Sequence, residues 1–114
     1  PNSAILHYGH AGAPNDVPLG PDKMCLLDMG SEYHCYGSDV TCSYPARGVF
    51  QNREKIIYNA VLQAQITVMG MLKPGVSYLD CHKAAETTIL KALLDFGILL
   101  NPMKEDISVL VDKR

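Results

Sequence analysis

The spacing of hydrophobic positions changes once along the chain, near residues 49–52, from short apolar runs to apolar residues recurring every three or four. The first pattern predicts strands and the second predicts helices. Met24-Cys25-Leu26-Leu27-Asp28-Met29 reads as a strand, Gly30-Ser31-Glu32 as a turn, and residues 33–41 as a second strand, giving an antiparallel hairpin. A two-residue period along the second strand puts Tyr33, Cys35, Gly37 and Asp39 on one face and His34, Tyr36 and Ser38 on the other. Upstream, Ala4-Ile5-Leu6-His7-Tyr8 has the residues of a short strand, and the proline- and glycine-rich residues 9–22 form a long exposed loop.

In residues 51–72, Ile57, Val61, Ala64, Val68, Met71 and Leu72 form an amphipathic stripe that Lys73-Pro74-Gly75 stops. Ser77, three residues before Asp80, resembles a capping box and opens a second helix, with Ala85, Ile89, Leu93 and Phe96 as its buried stripe and Gly97 as its stop. The reading is α+β: an antiparallel hairpin sheet followed by two helices. Such a piece keeps exposed strand edges and a partly uncovered sheet face, so it reads as part of a larger domain.

Composition narrows the function classes. The 114 residues are 47% hydrophobic, enough for a packed core, and Lys+Arg 10 against Asp+Glu 12 leaves a net charge of -2. That balance predicts neither a nucleic-acid partner nor attraction to an acidic membrane surface. No apolar run approaches the roughly 20 residues needed to cross a bilayer. Pro1-Asn2-Ser3 has no basic segment followed by an apolar stretch, so no secretory leader is expected from these residues. Cys25, Cys35, Cys42 and Cys81 form no close pair, which predicts reduced, mostly buried thiols of a cytoplasmic protein ahead of two disulfides or structural zinc.

Candidate chemistry centres on Asp28 and Asp39, eleven residues apart in apolar or aromatic surroundings. On spacing alone, a turn residue before Gly30 and an Asx-type cap describe them better than a site does. Against this, carboxylates on rigid strands suit hard divalent ions such as manganese, and two on neighbouring strands can hold two ions roughly 3.5–4 Å apart. Thr41, on the same strand face as Asp39, could orient that carboxylate, or be an ordinary strand threonine. His7, beside the glycine-rich loop, reads as a ligand, a donor to substrate or a solvated residue. His34 and His82 are expected to be exposed.

Three stretches carry a more specific signal: Leu6-His7-Tyr8-Gly9-His10-Ala11-Gly12-Ala13-Pro14-Asn15-Asp16, Met24-Cys25-Leu26-Leu27-Asp28-Met29-Gly30, and Glu32-Tyr33-His34-Cys35-Tyr36-Gly37-Ser38-Asp39-Val40-Thr41-Cys42-Ser43-Tyr44-Pro45. Together they resemble the start of the catalytic domain of the prolidases, the Xaa-Pro dipeptidases of the pita-bread metallopeptidase family. Met-Gly-Met-Leu-Lys-Pro-Gly at 69–75 is a weaker match. The wider family has a basic residue after the threonine that follows the second metal aspartate; Cys42 stands there in this chain, as in eukaryotic-type prolidases.

The resemblance implies the first half of a pita-bread (creatinase/methionine aminopeptidase-like) catalytic domain. It implies that Asp28 binds one manganese ion, that Asp39 bridges two and touches the substrate side of the site, and that His7 lies at an Xaa-Pro dipeptide. The implied reaction is hydrolysis to an amino acid and proline by a hydroxide held between the ions. The remaining ligands, a histidine and two glutamates, belong to later sequence. Residues 1–114 are therefore expected to be a fragment, inactive alone and accompanied by the rest of the polypeptide, even as a separate chain, within a homodimer. The terminal Lys113-Arg114 suggests trypsin-like cleavage. Two rivals stand beside this: an aminopeptidase P-like hydrolase acting on longer peptides, and a non-catalytic pita-bread binding protein, against which the retention of both aspartates argues.

Overall fold

The computed structural model describes residues 18–100 and 106–112. The expected strand at residues 4–8, His7 and the loop up to residue 17 lie outside the described residues. The chain divides into two compact units that meet in sequence at Phe50 and Gln51, where the hydrophobic period changes.

The first unit contains β1 (Met24–Met29), β2 (Glu32–Tyr33), β3 (Tyr36–Gly37) and β4 (Val40–Pro45). β1 pairs antiparallel with β4, from Met24 opposite Pro45 to Met29 opposite Val40, and β2 pairs antiparallel with β3. In both ladders the residue numbers of each pair add to 69, so the register is continuous and the four strands are one long hairpin. The ladder lapses only at residues 30–31 and 38–39. At the open end, Ala46 N–H donates to the Lys23 carbonyl at 2.9 Å and Arg47 Nη1 to the Pro21 carbonyl at 2.7 Å.

The tip corrects the sequence reading, which ran a strand through residues 33–41. Tyr33 faces Tyr36, and the two residues between them, His34 (φ +49°) and Cys35 (φ +68°), are both left-handed, the pattern of a type I′ turn. His-Cys lacks the Asn-Gly signature that makes such turns legible, and left-handed backbone at non-glycine residues costs roughly 1–2 kcal/mol each. Local contacts offset this. The Glu32 carboxylate accepts the Cys35 N–H at 2.8 Å, and the Tyr33 and His34 rings meet edge to face with centroids 4.2 Å apart. Gly37 and Asp39 still share one face and Tyr36 and Ser38 the other. Tyr33 moves to the face of its partner Tyr36, and His34 and Cys35 belong to the turn.

The second unit contains α1 (Asn52–Met71), α2 (Tyr78–Asp95) and α3 (Ile107–Asp112). α1 opens with the Gln51 N–H donated to Glu54 Oε2 at 2.8 Å. After α1, Val76 N–H reaches the Lys73 carbonyl at 3.2 Å around Pro74-Gly75, with Gly75 at φ +87°, as a type II turn requires. α2 ends in a Schellman motif: Gly97 takes φ +68°, its N–H bonds to Leu94 O at 3.0 Å, and Ile98 N–H bonds to Leu93 O at 2.9 Å. The expected capping box at Ser77 does not form, since its side chain makes no cap hydrogen bond. Asp80 is one methylene shorter than the glutamate that closes such a box.

α1 packs on α2, and α2 on α3. Ala60 and Ala64 of α1 and Cys81 and Leu90 of α2 are buried. The contact line of α1 therefore runs through small residues four apart, which let the helices approach. This shifts the predicted stripe: Ala64 is in it, but Ile57 and Val61 are 42% and 55% exposed. In α2, Ala85, Ile89 and Leu93 are half-buried and Phe96 is exposed. α3 was not legible from the sequence. Its start is capped by Asp106, whose Oδ1 accepts from Ser108 N–H at 2.8 Å and from Ser108 Oγ at 2.6 Å. All four cysteines are free, as expected, but only Cys25 and Cys81 are buried; Cys35 and Cys42 are exposed. No helix among the described residues is long and apolar enough to cross a membrane.

Candidate metal centre

Asp28, one residue from the end of β1, faces Thr41 in β4, and the Thr41 hydroxyl donates to Asp28 Oδ1 at 3.4 Å. Thr41 thus bonds to the first carboxylate of the pair; the expectation from strand alternation had joined it to Asp39. Asp39 immediately precedes β4, two residues before Thr41, and so lies on the same face. Continuing the register places Asp39 opposite Gly30 and diagonal to Asp28. Diagonal neighbours on an antiparallel pair are about 7–8 Å apart at the backbone, within reach of two converging carboxylates.

Gly30 shapes this corner. A Cβ there would overlap the Ser38 carbonyl oxygen and sit 3.1 Å from the Ser38 carbonyl carbon and 3.8 Å from Asp39 Cα. Only glycine permits so close an approach of the β1 end to the Asp39 backbone. On the other face, Ser38 N–H donates to the Ser31 carbonyl at 2.8 Å and Ser31 N–H donates to Ser38 Oγ at 3.0 Å. The sequence reading placed Gly30-Ser31-Glu32 in the hairpin turn; the turn lies instead at His34-Cys35, and neither the corner role of Gly30 nor the Ser31–Ser38 pair was foreseen. The shared register total, available only once the turn is located, would have found both.

Both aspartates are exposed. Among the described residues no salt bridge joins either to a basic side chain. Two oxygen donors of like charge on one face of a hairpin fit a hard divalent cation, which would relieve their mutual repulsion. They do not make a full coordination shell, since the described residues hold no group of three or more His, Cys, Asp or Glu able to bind a metal. His7 lies outside the described residues. His34 is exposed at the hairpin tip, and exposed His82 meets Glu86 at 3.5 Å on α2, so neither belongs to the pair. A groove of about 490 Å³ between α1 and α2, lined by Lys55, Asn59, Lys91 and Asp95 among others, contains none of the predicted site residues.

Comparison with known proteins agrees with the fold. The chain is 53% identical over 98 residues to the Xaa-Pro dipeptidase of Homo sapiens, covering 86% of this chain and 20% of that protein. It is 40% identical over 97 residues to a "Probable Xaa-Pro aminopeptidase" of Verticillium alfalfae, covering 85% of this chain and 20% of the relative. The structure of Pseudomonas aeruginosa aminopeptidase PepP superposes with a TM-score of 0.81 at 32% identity, over 96% of this chain and 23% of that one. The α+β architecture is thus of the pita-bread type, and the chain spans about one fifth of the length of the curated relatives it matches. With residues 1–106 matching the model of metallopeptidase family M24, and a paired-carboxylate hairpin suited to a divalent cation, the chain belongs to that family.

Proposed function

We propose that residues 1–114 supply the first half of the catalytic domain of a metal-dependent Xaa-Pro dipeptidase, in which Asp28 and Asp39 are two of the ligands to a pair of divalent ions. The observation that carries this reading is the placement of the two carboxylates on one face of a single hairpin, at a corner where Gly30 lets the two arms approach closely. Asp28 would hold one ion, steadied by the Thr41 hydroxyl, and Asp39 would bridge both. Bound there, such ions supply Lewis acidity and activate water for attack on a scissile carbonyl. Manganese is the proposed metal, because the carboxylate donors of Asp28 and Asp39 are hard oxygens. His7 is the proposed contact to the dipeptide.

The rest of the domain, with the ligands this segment lacks, would come from the remainder of the polypeptide. The identity to human Xaa-Pro dipeptidase, higher than that to the fungal aminopeptidase, favours dipeptides over longer peptides as substrates. The four free thiols fit a reducing, cytoplasmic setting. A homodimer is the proposed assembly, the commonest closed arrangement of soluble chains.

The decisive experiment assays the full-length protein with manganese against a panel of Xaa-Pro dipeptides and longer Xaa-Pro peptides. Cleavage confined to dipeptides, abolished in Asp28→Asn and Asp39→Asn, supports the reading. Preference for the longer peptides would make it an aminopeptidase, and no cleavage of either would leave a binding protein.

A further inference from the structure

The hairpin lapses where the site needs it to hold. Between the last pair of the long ladder, Met29 with Val40, and the first pair of the tip, Glu32 with Gly37, no regular strand is formed, yet Gly30 and Asp39 fall in this gap. What bridges it is Ser38. Its N–H donates to the Ser31 carbonyl at 2.8 Å, its Oγ accepts the Ser31 N–H at 3.0 Å, and the same Oγ lies 3.3 Å from the Ser31 carbonyl and 3.4 Å from Ser31 Oγ. A side-chain oxygen therefore takes a main-chain N–H that a regular ladder would give to a carbonyl. Across the same gap the Ser38 carbonyl presses on Gly30.

We propose that Ser38 is a positioning residue for the carboxylate pair: its hydroxyl, by holding Ser31, fixes the backbone of the adjoining Asp39 against Gly30 and so sets the distance from Asp39 to Asp28. The inference rests on the metal-binding reading of the two aspartates. Ser38 lies on the face opposite both carboxylates, so it acts through the main chain. Loss of the hydroxyl leaves Ser31 N–H without this partner and lets the Asp39 segment move away from β1, which a single-ion site tolerates and a bridged two-ion site does not.

The test uses the full-length protein with Ser38→Ala, Ser38→Thr and, as a control, Ser31→Ala, which keeps the Ser31 main-chain groups. Manganese binding is followed by titration calorimetry and by the electron paramagnetic resonance signature of two coupled ions. The expected result is that Ser38→Ala weakens the second ion about ten- to a hundredfold and loses the coupled signal. Ser38→Thr restores both, Ser31→Ala leaves both, and the melting temperature of Ser38→Ala stays near that of wild type. If Ser38→Ala binds two coupled ions as wild type does, or if Ser38→Thr fails to rescue while remaining folded, the inference is overturned and the metal reading stands. If wild type itself binds no ion pair, or Asp28→Asn and Asp39→Asn bind as wild type does, the metal reading falls and the inference with it.

Discussion

The Thr41 hydroxyl reaches Asp28 across the β1–β4 ladder at 3.4 Å, joining two residues that stand directly opposite one another. The contact is long for a hydrogen bond between oxygens, so it aims the carboxylate more than it stabilises the fold. Thr41→Val keeps the branched shape and removes the donor. In the full-length protein it is expected to weaken manganese about tenfold while shifting stability by less than about 1 kcal/mol, read by titration calorimetry and thermal melting.

Gly30→Ala places a methyl group on the Ser38 carbonyl, a backbone atom that cannot swing aside. The arms must separate at the Asp39 position. A loss of about 1–3 kcal/mol is expected from this overpacking, with ion binding impaired in parallel. A melting temperature and manganese affinity equal to wild type would show that the corner is slack.

The hairpin tip should be improvable without touching the site. His34→Asn together with Cys35→Gly installs the residues that favour left-handed backbone at both central turn positions. Allowing for the lost Tyr33–His34 ring contact, a net gain of about 0.5–1 kcal/mol is expected in denaturant unfolding, with unchanged metal binding.

The cap of α3 should respond to acid. The Ser108 hydroxyl, then the Ser108 N–H, hold the Asp106 carboxyl below its ordinary value. Because the folded value is the lower one, the cap's contribution is fully present above the ordinary carboxylate range and is lost as pH falls through the folded value. The Ser108 amide resonance should shift in that acidic window in wild type and stay flat in Asp106→Asn. A midpoint at or above the ordinary value would contradict the hydrogen-bonded cap.

Much of this fold was legible because its signals are local. Pro74-Gly75 and Gly97 end helices through backbone demands that few other residues meet, and both appear where the sequence places them. The helix stripes were less legible: bulky Ile57 and Val61 attract attention in a sequence, whereas the contact is made through Ala60 and Ala64, whose value is their small size. The tip was missed because Glu32 and Tyr33 stabilise a turn that His34 and Cys35 do not announce. Asp28 and Asp39 stand out in the sequence as a pair, but spacing alone favours a plainer reading, and only the family resemblance makes them candidate ligands. The serine pair that links their strands emerges only when the register is known.

The constant register total of the hairpin recasts the eleven-residue separation of Asp28 and Asp39 as a matter of parity, not distance. Across a two-residue turn, any odd separation leaves two residues on one face and any even separation sends them to opposite faces. Lengthening both arms by one residue beyond the carboxylates would carry the tip outward and leave the pair together. A single residue inserted in one arm would turn Asp39 away from Asp28, however little it changed the length of the loop.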